Sequence, residues 1–150
     1  MKQVFIVFSL LFCTAIHAHE IEGMVYKKSA NSVEKTLDRM ETILKEKGVA
    51  IIARVEHSQS AKKLNIELRP TALLIFGNPQ LGSHFFTSHQ SAGIDLPLKV
   101  LAWQDEKGQV WIAYNDPQYI AKRHGIADRE EIVKKMTGAL DKFTEFAIKP

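Results

Sequence analysis

Two short segments carry side chains that could take part in binding or catalysis. His57 follows Glu56 directly, at the end of an apolar run that starts at Val49. A carboxylate beside an imidazole can tune the pKa of the ring, which makes His57 a possible base or hydrogen-bond donor. Tyr114 and Asn115 end a second apolar run, and an amide at a strand end can bind a polar ligand or form a turn. The sequence therefore makes these positions candidates for a ligand site, although a cap or turn role is the alternative for each.

Two further polar residues lie at predicted strand boundaries. Asn78 precedes Pro79, a pair that suits the N-cap and first turn of a helix, where free N–H groups could also hold an anion. Asp95 comes just before Pro97 and can accept backbone hydrogen bonds at the start of a strand. No residue is predicted to be catalytic. The predicted ligand-binding residues are Glu56, His57, Asn78, Asp95, Tyr114 and Asn115.

Known metal and hydrolase motifs do not occur in the sequence. His84 and His89 are five residues apart, so they lie on different faces of a helix, unlike the i, i+4 pair of a zinc helix. His19 could chelate Cu(II) if it became the N-terminus, although a weak accidental site is the alternative. There is no Gly-x-Ser-x-Gly and no His-Glu-x-x-His. We therefore predict no metal and no cofactor.

The elements that must position these residues form an α+β pattern. One amphipathic helix is predicted from a cap at Asn31 to Gly48, and a second opens at Asp128. The stripe predicted to be buried on the second helix is Ile132, Met136, Ala139, Leu140, Phe143 and Ala147. Shorter helical segments are predicted at Ser60 to Asn65 and after Asn78.

About five strands accompany these helices. Val49 to Glu56 is apolar on both faces up to Ala53, which is typical of a covered central strand. Two segments that alternate around Asp105 to Gly108 predict an antiparallel hairpin. The other predicted strands are Met24 to Lys28, Thr71 to Phe76, Leu98 to Gln104 and Gln109 to Asn115. We predict a two-layer α+β sandwich with a mixed sheet, two long helices and shorter helical segments.

The first 18 residues predict a cleavable signal peptide. Lys2 supplies a positive charge, Val4 to Phe12 form an apolar segment, and Ala18 suits a cleavage site. The apolar segment is shorter than the roughly 20 residues needed to span a membrane. We therefore expect a periplasmic or secreted protein, not inserted in a membrane, with residues 19–150 as a single domain. Cleavage would remove Cys13, the one cysteine of the chain.

The charge pattern does not favour nucleic-acid binding. The formal net charge is +3, and the basic residues are scattered as short pairs rather than clustered in one patch. A nucleic-acid surface requires a basic patch or stripe. We therefore predict no nucleic-acid partner.

Several motifs along the chain point together to one family. They include EKG at Glu46 to Gly48, the segment from Val55 to Pro70, LLIFGNP, DLPLKVL, WIAYNDP from Trp111 to Pro117, and RHG. From Met24 to Phe146 the chain resembles the bacterial and archaeal family called domain of unknown function 302. The resemblance implies an α+β fold that is often dimeric, with no established catalytic residue. That family usually has Asp-His where this chain has Glu56-His57, which keeps the carboxylate on a longer side chain.

These observations lead to one functional expectation and two alternatives. We expect an exported, non-enzymatic domain that binds a small ligand or a partner protein, as a homodimer. The first alternative is a metal-independent enzyme that acts on a small polar substrate with His57 as general base. The second alternative is a dimeric scaffold. If the strands before His57 and Asn115 are parallel neighbours, the two residues share a pocket; if they are antiparallel, the residues lie at opposite ends of the sheet.

Overall fold

The computed structural model describes residues 21–150, which form one five-stranded sheet with helices packed on one of its faces. The predicted signal peptide and its cleavage site lie outside the described residues. The strands are β1 (Met24–Ser29), β2 (Ala50–Glu56), β3 (Thr71–Gly77), β4 (Leu98–Gln104) and β5 (Val110–Asn115). Their order in the sheet is β1-β5-β4-β3-β2, and all four pairings are antiparallel. The predicted α+β sandwich is confirmed. The prediction of a mixed sheet is wrong, because every strand pairing is antiparallel.

Strand β2 lies at one edge of the sheet, so its predicted central position is wrong. A β-bulge at Ile52, rather than a covered central position, explains why β2 is apolar on both faces. The register with β3 shifts between Ile51 and Ala53, which makes Ile52 the extra residue of a β-bulge. Ile52 is 56% exposed and contributes to the wall of a cavity instead of a covered strand face. Bulges commonly occur at sheet edges and next to binding sites because they redirect a side chain.

The helices are α1 (Val33–Glu46), α2 (His57–Lys62), α3 (Pro79–Ser88), α4 (Pro117–Arg123) and α5 (Glu130–Ile148), with a 3₁₀ helix at Gln90–Ile94. The N-cap of α1 is Ser32, whose hydroxyl accepts a hydrogen bond from the Lys35 N–H at 3.2 Å. Asn31 was predicted for this position. Its side-chain amide instead donates to the carbonyl oxygens of Ala147 and Lys149 at the end of α5.

The main core lies between the sheet and the two long helices. The apolar stripe of α1 is buried as predicted, with Leu37, Met40 and Leu44 all fully inaccessible. On α5, the predicted Met136, Leu140 and Ala147 are buried, together with Val133 and Thr144. The other predicted positions on α5, Ile132, Ala139 and Phe143, are half-buried.

The opposite face of the sheet has a different character. Its large side chains are half-buried, and they belong to neither buried cluster of the described residues. The antiparallel register places on this face Leu73, Ile75, Leu101, Trp103 and Trp111. We call this surface the open face. Among residues 21–150, no helix is both long and apolar enough to cross a membrane.

Candidate functional site

A cavity of about 320 Å³ opens at the end of the sheet where β3 ends and β4 begins. Its walls come from the bulged edge strand, from α3 and from one side of α5. Nearly all of the lining side chains are apolar, and they include Ile52, Leu81, Phe86, Ala139 and Phe143. This volume lies near the lower end of the roughly 300–1,000 Å³ range of small-molecule sites. The arrangement suits an apolar ligand with few polar groups.

Two glycines, Gly77 and Gly82, line the cavity. Gly82 lies in α3 and lines the cavity, and glycine disfavours a helix interior by about 1 kcal/mol relative to alanine. A Cβ atom at Gly77 would lie 3.4 Å from the Cβ atom of Pro97, which is van der Waals contact with that wall. The outer rim carries Ile52 and Phe86, which are 56% and 38% exposed. The wall formed by α3 is therefore the one with the weakest intrinsic helix preference.

Asn78 is the predicted site residue that borders this cavity. Its side-chain oxygen accepts a hydrogen bond from the Gln80 N–H at 2.9 Å, and Pro79 occupies the first turn. The predicted cap is therefore confirmed. Because the carboxamide oxygen of Asn78 accepts the capping hydrogen bond, its NH₂ group is the part that can donate to a ligand at the cavity edge.

Sheet topology separates the predicted residues into two groups. Strands β2 and β5 run in opposite directions, since three antiparallel pairings lie between them. Their C-terminal ends are therefore at opposite ends of the sheet, roughly 20 Å apart for strands of this length. The strands before His57 and Asn115 are not parallel neighbours, so these two residues do not share a pocket. Asn78, Asp95 and Asn115 lie at the end that carries the cavity.

Glu56 is held in an ion-pair network at the other end of the sheet. Its carboxylate accepts a hydrogen bond from Arg54 Nε at 2.6 Å. The same guanidinium binds Asp38 at 2.6 Å and Glu41 at 3.3 Å on α1. Burial works to lower the pKa of Arg54, but the hydrogen bonds to Asp38, Glu56 and Glu41 outweigh it and raise that pKa. Arg54 therefore ties the edge strand to α1, and Glu56 holds the Arg54 guanidinium from the same strand.

His57 begins α2 as its first residue and is half-buried. Within residues 21–150 its ring has no hydrogen-bond partner, and it lines neither the apolar cavity nor a polar groove around Arg54. The geometry thus gives no support to a base role for His57.

Two more of the predicted residues, Tyr114 and Asn115, lie near the C-terminal end of β5. Tyr114 is 5% exposed and belongs to the main core, where burial raises the pKa of its phenol. Asn115 is half-buried and pairs in register with Met24. The neighbouring Asp116 caps α4 by accepting a hydrogen bond from the Gln118 N–H at 2.8 Å. The segment after β5 therefore ends in a helix cap at Asp116, which matches the turn alternative.

Asp95 lies at the centre of a polar network that sequence reasoning missed. Its carboxylate contacts His124 Nε2 at 2.7 Å and Arg123 Nη1 at 3.2 Å. His124 Nδ1 lies 2.7 Å from Ser91 Oγ, which in turn lies 3.0 Å from His89 Nδ1. In the sequence, His124 reads only as a residue at a helix end before glycine. No local signal connects it to Asp95, because the contact spans 29 positions.

Comparison with known proteins identifies the family. Residues 25–143 match the family described as Domain of unknown function DUF302. The chain belongs to this family. A crystal structure of an uncharacterized conserved DUF302 protein from Bacillus stearothermophilus has the same fold, with a TM-score of 0.75. That similarity covers 85% of this chain and 99% of the other, at 17% sequence identity. At this identity it supports a shared fold and no shared function.

Curated relatives carry a functional name. Fluoride-specific ion channel FluC 1 of Brucella suis biovar 1 is 36% identical over 126 residues, covering 83% of this chain and 50% of that protein. Fluoride-specific ion channel FluC 2 of Brucella melitensis biotype 1 is also 36% identical over 126 residues, covering 83% and 47%. This DUF302 chain thus spans about half the length of the curated relatives it matches.

Proposed function

We propose that this DUF302 domain binds a small apolar molecule, or the apolar part of a larger one, in the cavity between α3 and α5. The observation that supports this proposal is the cavity itself, with walls formed almost wholly by aliphatic and aromatic side chains. Burying apolar surface stabilises a complex by roughly 25 cal/mol per Å². The cavity has few polar groups that could add hydrogen bonds to a ligand. We therefore propose binding without catalysis at this site.

The dimensions restrict the ligand class. The cavity, at about 320 Å³, is roughly twice the size of an engineered cavity of about 150 Å³ that binds benzene. It could accept a bicyclic aromatic molecule or a short hydrocarbon chain. Asn78 and Ser83 are the polar residues of its lining, so a ligand with one polar end would place that end beside them.

Fluoride is not our proposed ligand for this cavity. A small anion requires converging N–H donors or cations, and the lining offers mainly hydrocarbon. About half of each curated relative has no counterpart in this chain, so their printed activity does not assign one to the part that matches.

A fluorescence titration tests the proposal. The neutral dye N-phenyl-1-naphthylamine should become brighter and blue-shifted on binding, because it moves from water to apolar walls. Ala139→Leu places three more carbon atoms in the cavity wall and should weaken binding at least tenfold. Gly138→Leu adds the same side chain one position earlier, where a Cβ meets nothing within 4 Å, and should leave affinity unchanged. Equal affinity for both variants, or no binding by the parent protein, would contradict the proposal.

We also propose that two copies associate through the open face. Five strands spaced about 4.8 Å apart, six residues long at about 3.3 Å each, give a patch of roughly 24 by 20 Å in plan. Projecting side chains such as Trp103 increase its accessible area toward the roughly 800 Å² per partner of a standard interface. A self-complementary pairing places the apolar centre of one face on that of the other, with Lys28 and Lys99 of the same face at its margin.

Light scattering distinguishes a dimer from a monomer. We expect twice the chain mass for the parent protein and a monomer for Leu101→Lys, which puts a charge in the middle of the open face. Leu64→Lys changes a leucine outside the strands that is 71% exposed, and should remain dimeric. A parent protein that stays monomeric at all concentrations would contradict this proposal.

A further proposal concerns the cellular location of the protein. We propose export to the periplasm or the exterior, supported by the Lys2, Val4 to Phe12 and Ala18 pattern of the sequence. An exported domain with an apolar cavity could collect an apolar compound outside the cytoplasm.

A further inference from the structure

We propose that Ser91 is a nucleophile, activated by His124 and Asp95, that accepts the acyl group of a small ester. The three side chains form a continuous hydrogen-bonded row, with 2.7 Å from Ser91 Oγ to His124 Nδ1 and 2.7 Å from His124 Nε2 to Asp95. Nucleophile, base and orienting acid are recognised by such geometry and not by chain order. The apolar cavity plays no part in this inference.

The folded chain assembles this row from two elements. Ser91 lies on the 3₁₀ helix, and Asp95 ends the same helix as its C-cap. His124 is the C-cap of α4, which packs beside it through the second buried cluster of the protein. The side chains of His124 and Asp95 are only 7% and 10% exposed, whereas Ser91 is exposed. The base and the acid are thus sheltered, and the hydroxyl can meet a substrate.

When His124 is neutral, its hydrogen-bond partners determine which of its ring nitrogens carries the proton. An ionised Asp95 can only accept, so His124 must carry its proton on Nε2 and leave a lone pair on Nδ1. The Ser91 hydroxyl then donates to Nδ1. His89 Nδ1, at 3.0 Å from Ser91 Oγ, donates to the same oxygen, because the single hydroxyl proton is already used. Arg123 occupies the other oxygen of Asp95 and holds the carboxylate in place.

This arrangement supports a balanced two-step reaction. Ser91 Oγ attacks the ester carbonyl carbon while its proton passes to His124 Nδ1. The bond from that carbon to the alcohol oxygen breaks, and His124 returns the proton to the leaving alcohol. Water then attacks the acyl-Ser91, again through His124, and releases the carboxylic acid. The donor from His89 is placed to stabilise the Ser91 oxygen as its proton leaves.

Active-site labelling tests the inference without a known substrate. Diisopropyl fluorophosphate should add one diisopropylphosphoryl group to the purified protein, with loss of fluoride, and peptide mapping should place it on Ser91. Ser91→Ala should abolish the adduct, and because Ser91 is exposed this variant should fold normally. Ser88→Ala is the matched control. Ser88 contacts the Asp128 carboxylate at 2.5 Å but has no histidine partner, so its loss should leave labelling unchanged.

The base is tested separately. His124→Gln and Asp95→Asn should each slow labelling by roughly 100-fold or more, while the far-ultraviolet circular dichroism spectrum stays that of the parent. Absence of an adduct at Ser91, when a known serine hydrolase is labelled fully in parallel, would overturn the inference. An unchanged rate in a folded His124→Gln variant would overturn it as well.

Discussion

Replacing Leu140 by alanine should cost less stability than the same change at Leu37, although both leucines are buried. Their exposed fractions are 1% and 0%. A Leu→Ala change in a protein core costs about 2–5 kcal/mol, and the loss grows with the new cavity that remains. Leu140 already borders the cavity between α3 and α5, so the space left by the removed carbons joins an existing cavity. Leu37 lies within the closed core, away from the cavity lining.

We therefore expect about 2–3 kcal/mol for Leu140→Ala and about 4–5 kcal/mol for Leu37→Ala. Urea denaturation followed by circular dichroism measures both. With a slope of about 2 kcal/mol per molar urea, the two midpoints should differ by roughly 1 M. The larger cavity of Leu140→Ala should also bind N-phenyl-1-naphthylamine at least as well as the parent. An equal or larger loss at Leu140 would mean that this region is closed and well packed in solution.

Three further predictions concern stability and processing. Gly138→Ala should stabilise the protein by about 0.5–1 kcal/mol in thermal or urea unfolding, because Gly138 lies in the middle of α5 and an added Cβ meets nothing; destabilisation would contradict this. Burial works to lower the pKa of Lys27, but hydrogen bonds to Asp141 and Glu145 raise it above 10.5 overall. The contribution of Lys27 to the free energy of unfolding is therefore complete below pH 10.5 and lost as the pH rises above it. In Lys27→Met, the free energy of unfolding should fall less steeply above that pH than in the parent protein. An identical fall in both proteins would refute the assignment. Mass spectrometry of protein from the native host should find a chain that starts at His19, whereas an intact Met1 form would refute export.

Local patterns predicted the elements well, because each depends on neighbours in sequence. The stripe of α1 follows from helical periodicity, and the hairpin of β4 and β5 from alternation around a turn. The cap at Asn78 was confirmed for the same reason. The cap of α1 was misplaced by one residue because Asn31 is used by contacts with the distant end of α5.

The arrangement of the candidate site depended on pairings that no local pattern contains. An apolar edge strand that borders a cavity has the same composition as a covered central strand, so β2 was misplaced. The antiparallel order then separated His57 from Asn115. The row from Ser91 to Asp95 required His124, which the fold brings from 29 residues away. Spacing along the chain could indicate Asp95 as a turn residue but not its partner.

A crystal structure of the protein with bound N-phenyl-1-naphthylamine would show directly whether the cavity is the ligand site. We expect electron density for the dye between α3 and α5, in contact with Phe86, Ala139 and Phe143. Density for the dye on the open face of the sheet, with an empty cavity, would contradict it.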